Sequence, residues 1–206
     1  SAGAGGSLDT ALVRRFDRRI LVDLPKRADR GKYIRRELAK HAGCAVSEGA
    51  IDSLAARSAG LSLADIEAVL ELSVRNAGKR RVPLSDGILE DAFELSRHGE
   101  KKDWGVEYLE RVARHEAGHA LLCRLSGRSP AYLTIVARGG HGGYMEHESA
   151  EDEPVRTRAE LLSRIRTALG GRAAELVYYG QEQGVSTGAA ADLKSASRIA
   201  AAMILD

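Results

Sequence analysis

His115, Glu116 and His119 stand in the run His-Glu-Ala-Gly-His at positions 115–119. Four residues of α-helix turn through about 400°, so both imidazoles leave one face, a single turn apart. That spacing suits two nitrogen donors about 2.0–2.1 Å from one Zn²⁺. Glu116, beside the first histidine, is placed to act as general base towards a water activated there. The chemistry open to these residues is metal-assisted hydrolysis of a peptide bond. A pentapeptide can also arise by chance in an ordinary helix, so its surroundings must decide. A catalytic zinc site takes three protein donors and keeps one position open, and this run supplies two. No third histidine follows at compact spacing. Two downstream carboxylates remain, Asp192 near the start of the last predicted helix and Glu175 just after Gly170-Gly171. Spacing alone leaves both open.

The elements that must position these groups are legible in the hydrophobic pattern. Trp104, Tyr108 and Val112 recur at intervals of four, and the same stripe continues through His115, His119 and Cys123. One long helix therefore turns both histidines inward, with Cys123 as a small buried apolar residue rather than a donor. Two strands are expected at 132–137 and 143–146, joined by a glycine-rich turn and followed by an acidic loop. Thr157 to Glu160 reads as a capping box opening a helix that runs into Gly170-Gly171. Each mid-helix glycine costs about 1 kcal/mol relative to Ala, tolerable where another backbone packs closely. A final helix is expected over 189–205.

Ahead of this stretch the pattern is one of short helices. An apolar, strand-like Ile20-Leu21-Val22 precedes Pro25. A first helix carries Ile34 and Leu38 towards Gly43, and a second, capped by Ser47, carries Ile51 and Leu54 towards Gly60. A capping box at Ser62–Asp65 opens a third with Ile66, Val69, Leu70 and Val74, closed by Gly78. Ser85 caps a fourth carrying Leu89, Ala92 and Phe93. The polar stretch 97–103 separates this helical part from the histidine-bearing half.

The 206 residues allow one large domain or two small ones, and 44% hydrophobic with 29% charged residues is an ordinary globular balance. Twenty-two glycines against two phenylalanines and one tryptophan imply closely approaching backbones. The net charge of +2 hides a basic stretch at 14–36, where ten Lys or Arg face only three Asp. Only Phe16 and Tyr33 interrupt it, too few for base stacking, so nucleic acid is not an expected partner. Cys44 and Cys123 form neither a spaced metal motif nor a disulfide framework. No apolar run approaches 18 residues, so the chain itself reads as soluble. The opening SAGAGGS reads as linker.

HEAGHA at 115–120, IVARG at 135–139, GGRAAE at 170–175 and STGAAADLKSA at 186–196 occur in the order found in the FtsH-type AAA+ zinc metalloproteases. The second half resembles the peptidase domain of that family. LDTALVRRFDRRI at 8–20 and GLSLADIEAVL at 60–70 are similar to the end of its AAA+ module and its helical lid. The resemblance implies a mainly α chain with a small β element: linker at 1–7, a remnant of the AAA+ core at 8–24, a helical lid at 25–98, and a C-terminally shortened zinc metallopeptidase domain at 104–206. It implies Zn²⁺ on His115, His119 and Asp192, with Glu116 as general base and Glu175 orienting a ligand histidine or the site backbone. Arg15 and Arg18 match arginines that reach the ATP of a neighbouring subunit, although the family's Pro-Gly before that run is missing and Leu63 replaces a lid glycine. No GxxxxGK[ST] loop occurs, so ATP and Mg²⁺ belong to the full-length context. That context implies membrane anchoring with this portion on the cytoplasmic or organelle-interior side, a hexameric homo-oligomer, and polypeptide substrates, unfolded, damaged or membrane-embedded. The substrate is expected along an exposed edge of the strands between 132 and 146. The alternatives are a non-catalytic ring-forming module on this scaffold and a small zinc peptidase without a motor.

Overall fold

The structure is a computed structural model and describes residues 22–147 and 157–205. Arg15, Arg18, most of the expected strand at 20–22 and the acidic loop lie outside those residues. The described chain is mainly α-helical with one two-stranded sheet. None of its helices is long and apolar enough to cross a membrane.

Four helices come first: α1 (Arg27–Leu38), α2 (Glu48–Arg57), α3 (Leu63–Arg80) and α4 (Asp86–His98). Each turns one apolar stripe inward, and Ile34, Leu54, Ile66, Val69, Leu89 and Phe93 meet in one core. Ser47 caps α2, and the reciprocal box of Ser62 and Asp65 caps α3. An expected helix end shifts, and an expected cap bond is not made. Gly78 does not close α3, which runs on to Arg80 and stops where Arg81 takes the left-handed conformation. The Ser85 hydroxyl makes no cap bond, and the neighbouring Asp86 instead accepts from the amide and hydroxyl of Ser47, tying α4 to the start of α2.

The second half is built on α5 (Val106–Leu125), the helix that carries the His-Glu-Ala-Gly-His run. Strands β1 (Pro130–Thr134) and β2 (Tyr144–His147) pair antiparallel beside it, with Tyr132 opposite Glu146 and Thr134 opposite Tyr144. β1 starts earlier than its apolar run suggests and ends at Thr134. Beyond it Ile135 and Val136, about two-fifths exposed, lie outside the strand, so only the first part of the apolar run is paired. Thr157 and Glu160 form the expected capping box of α6 (Arg158–Ala168). Gly170-Gly171 then opens a separate helix, α7 (Gly170–Gln183), instead of interrupting the preceding one. The mid-helix penalty is therefore avoided. A short 3₁₀ turn at Thr187–Ala189 leads into α8 (Ala190–Leu205).

Candidate metal centre

α5 and α7 cross where neither carries a side chain. A Cβ on Gly118 would stand 2.3 Å from the Gly170 carbonyl oxygen, and one on Gly170 would stand 2.6 Å from that of Gly118. Gly171 makes the remaining room: a Cβ there would fall 2.3 Å from Nε2 of His115. The glycines of both motifs thus let the two backbones touch, and they leave a slot for an imidazole. α8 and the turn before it close the other side, which brings Asp192 opposite the histidines across 77 residues of sequence.

Three atoms converge there. His115 Nε2 lies 3.0 Å from Asp192 Oδ2 and 3.1 Å from His119 Nε2, and His119 Nε2 lies 3.4 Å from the same carboxylate oxygen. Both histidines are buried, and among the described residues this trio is the one cluster of His, Cys, Asp or Glu able to hold a metal ion. The far side of each ring is fixed. His115 Nδ1 donates to Glu175 Oε1 at 2.7 Å, and His119 Nδ1 to the Thr167 carbonyl at 2.7 Å. The Gly171 amide also points at His119 Nδ1, but from 3.3 Å, so the shorter carbonyl contact decides the tautomer. With both Nδ1 atoms donating, neutral rings turn two Nε2 lone pairs and a carboxylate towards one point. Such a convergence of acceptors calls for a cation or for protons.

The separations fit a metal. Donors about 2.0–2.1 Å from a tetrahedral ion stand about 3.3 Å apart, the range seen here. The electrostatics agree. Burial works against charge on both histidines, yet their contacts with Asp192 outweigh it and raise both pKa values. Burial likewise opposes ionisation of Asp192, but the two histidines hold its carboxyl down at about 2. The site keeps its negative charge and draws positive charge into the gap.

Glu175 is placed by more than His115. Its buried carboxylate also accepts from Arg111 at 2.8 Å and from the Ser186 hydroxyl at 2.7 Å. Burial raises its pKa, and these three donors outweigh that and hold it below the ordinary carboxylate range. With both oxygens engaged, Glu175 sits behind His115 and away from the converging trio. Glu116 instead borders a cleft of about 470 Å³ lined by Tyr108, Val112, Gly142, Gly143 and Thr187. Burial pushes its pKa up, against the pull of the two histidines. Cys123 is buried, and its sulfur lies 3.9 Å from His147 Nδ1, outside the trio.

Thr167, Arg111 and Ser186 were not singled out as site residues by sequence reasoning. Thr167 acts through a backbone carbonyl, which no residue type announces. Arg111 had a signal, one turn before His115 on the same helix face, and Ser186 opens the run that contains Asp192.

Two inward histidines on one helix, a carboxylate from another and a glycine crossing between helices make a site able to hold a metal ion. Residues 107–206 match the model of Peptidase family M41 and belong to that family. Across 96% of its length the chain is 37% identical to "ATP-dependent zinc metalloprotease FtsH 3" of Sphaerobacter thermophilus, covering 41% of that protein. It is 36% identical to the FtsH proteins of Ureaplasma parvum and Ruminiclostridium cellulolyticum, again over 96% of the chain, covering 28% and 32% of them. The chain therefore spans less than half the length of these relatives.

Proposed function

We propose that this chain carries the catalytic centre of an FtsH-like zinc endopeptidase, with Zn²⁺ held by His115, His119 and Asp192. The observation that carries the reading is the convergence of three acceptors whose histidines are both tied back through Nδ1. Bound there, zinc supplies Lewis acidity, polarising a scissile carbonyl and acidifying a water. Glu116 takes the proton of the attacking water and returns it to the leaving amine. Its burial suits the task, since a carboxylate with a raised pKa is the better proton acceptor. Glu175 and the Thr167 carbonyl hold the two imidazoles in the tautomer that presents Nε2. Arg111 and Ser186 keep Glu175 ionised for that role.

The substrate is an extended polypeptide, lying along an exposed edge of the β1–β2 hairpin and read mainly through its main chain. In the whole protein the names of the relatives support ATP-dependent degradation. We extend the proposal to a hexameric, membrane-anchored assembly, with residues 25–98 as the AAA+ lid and Arg15 and Arg18 reaching a neighbouring subunit's ATP. The direct test is cleavage of an unfolded protein by the zinc-loaded chain. Glu116→Gln should retain one zinc per chain and cleave about 10²–10⁴-fold more slowly. Equal cleavage by the substituted protein would remove Glu116 from the mechanism.

A further inference from the structure

Arg57, at the end of α2, lies far from the metal donors in sequence and plays no part in the chemistry above. Its side chain is nevertheless only 1% exposed. Around it meet two carboxylates one turn apart on α4, Glu90 and Glu94, and three side chains of the hairpin. Tyr144 and Glu146 are two residues apart on β2, and Tyr132 is the cross-strand partner of Glu146, so all three share one face of the sheet. The guanidinium spends its donors on both groups. Nε donates to Glu146 at 2.5 Å, one terminal nitrogen to Glu90 at 2.6 Å, and the other to Glu94 at 2.5 Å and to the Tyr144 hydroxyl at 3.0 Å. The Tyr132 ring covers its face, with the guanidinium carbon 3.5 Å from the ring centroid. Tyr144 in turn donates to Glu94 at 2.5 Å.

A buried arginine facing three carboxylates is a demanding arrangement, because each desolvated charge needs its partners. Burial opposes the charge on Arg57, and Glu146 and Glu90 more than offset it. A core made only for stability has no need of this. A fixed planar fork is suited to holding separate elements at set distances.

What it holds is one wall of the candidate active site. β2 begins at Tyr144, directly after Gly142-Gly143. A Cβ on Gly143 would lie 2.6 Å from the Thr134 carbonyl oxygen, 2.7 Å from Val112 and 3.2 Å from Cγ of Glu116. The main chain at 143 therefore rests on the Glu116 side chain and borders the cleft. The strand leaving that contact is gripped at its first and third residues by Arg57.

We propose that Arg57 is a positioning residue for the candidate active site, setting the Gly142–Gly143 wall against Glu116 and passing shifts of α2 and α4 into the cleft. In its catalytic arm this rests on the peptidase reading above; in its structural arm it does not. The experiment uses the zinc-loaded chain and the variants Glu146→Gln and Arg57→Lys. Amide hydrogen exchange is followed at 142–147 and at α4, together with zinc content and the kcat and KM for an unfolded protein. Glu146→Gln should speed exchange at 142–147 about tenfold, leave α4 protected and retain one zinc per chain. It should lower kcat about tenfold with a smaller change in KM. Arg57→Lys, which keeps the charge but loses the fork, should fall between. Unchanged exchange at 142–147, or equal loosening of α4, would overturn the proposal. If the unsubstituted chain cleaves nothing, the peptidase reading fails while the exchange result still decides the role of Arg57.

Discussion

Helices α1–α4 close on branched aliphatics and one phenylalanine, with Ile34, Ile66, Leu89 and Phe93 almost wholly removed from water. Helices α5–α8 bury few large apolar groups. Among the described residues, the buried hydrophobics of this half are Val112, Cys123, Ala137, Ala189 and Ala196, none larger than valine, set among His115, Glu116, His119, Thr167 and Glu175. Fully burying one large aliphatic contributes about 1.5–3 kcal/mol, so the first half carries its own stabilisation. The second substitutes backbone contact at Gly118 and Gly170 and a hydrogen-bonded polar network. A network of that kind is favourable only when every member is satisfied. The difference teaches that one half is made to be stable, whereas the other depends on what fills the gap between its histidines.

The sharpest way to break this comparison is to damage each half by its own means. Leu89→Ala should cost about 2–5 kcal/mol, as buried leucines do. Gly118→Ala forces a Cβ into the Gly170 carbonyl and should cost about 1–3 kcal/mol. Hydrogen exchange should place the first loss in α1–α4 and the second in α5–α8, with zinc binding lost only in the second. Loss of both halves together in either variant would mean a single cooperative unit.

A smaller effect comes from behind the proposed metal donors. Glu175→Gln removes the charge that His115 Nδ1 leans on and should weaken zinc binding about 10–100-fold, measured against a competing chelator. Unaltered affinity would show that Arg111, Ser186 and packing orient the ring without it.

The smallest effect is that of pH on the metal-free chain. The folded-state pKa values of His115 and His119 are raised, so their contribution to stability is full below the ordinary histidine value of about 6.5. It is lost as pH rises through the raised values. Asp192, held at about 2, contributes above its ordinary carboxylate value and loses that as pH falls through about 2. Without metal, α5–α8 should be most protected between about pH 4 and 6.5 and loosen above it. Zinc should reverse the upper limit, because protons compete for the same Nε2 atoms. A metal-free second half that is equally protected at pH 6 and pH 8.5 would contradict this.

The helices were legible because their signals are local. The boxes at Ser62 and Thr157 act within one turn, and the stripe from Tyr108 to Cys123 repeats at intervals of about one turn. β1 was misplaced by two or three residues and β2 by one, because their limits are set by distant contacts. Gly143 must pass over Glu116, and residues 135–137 leave the sheet to meet the segment after α4, where the Lys102 amide donates to the Ala137 carbonyl. His115, Glu116 and His119 were readable as one motif on one helix. Asp192 was not separable from Glu175 by spacing, since what distinguishes them is tertiary packing: α7 lies against α5, whereas α8 packs on α6. Arg57 gave no signal at all, because its partners lie on three other elements.

The most direct measurement is anomalous scattering at the zinc edge from crystals of the zinc-loaded chain. One peak should appear, bounded by His115 Nε2, His119 Nε2 and the Asp192 carboxylate, with Glu175 still on His115 Nδ1. A peak with Glu175 as third donor, or none beside the two histidines, would contradict the account.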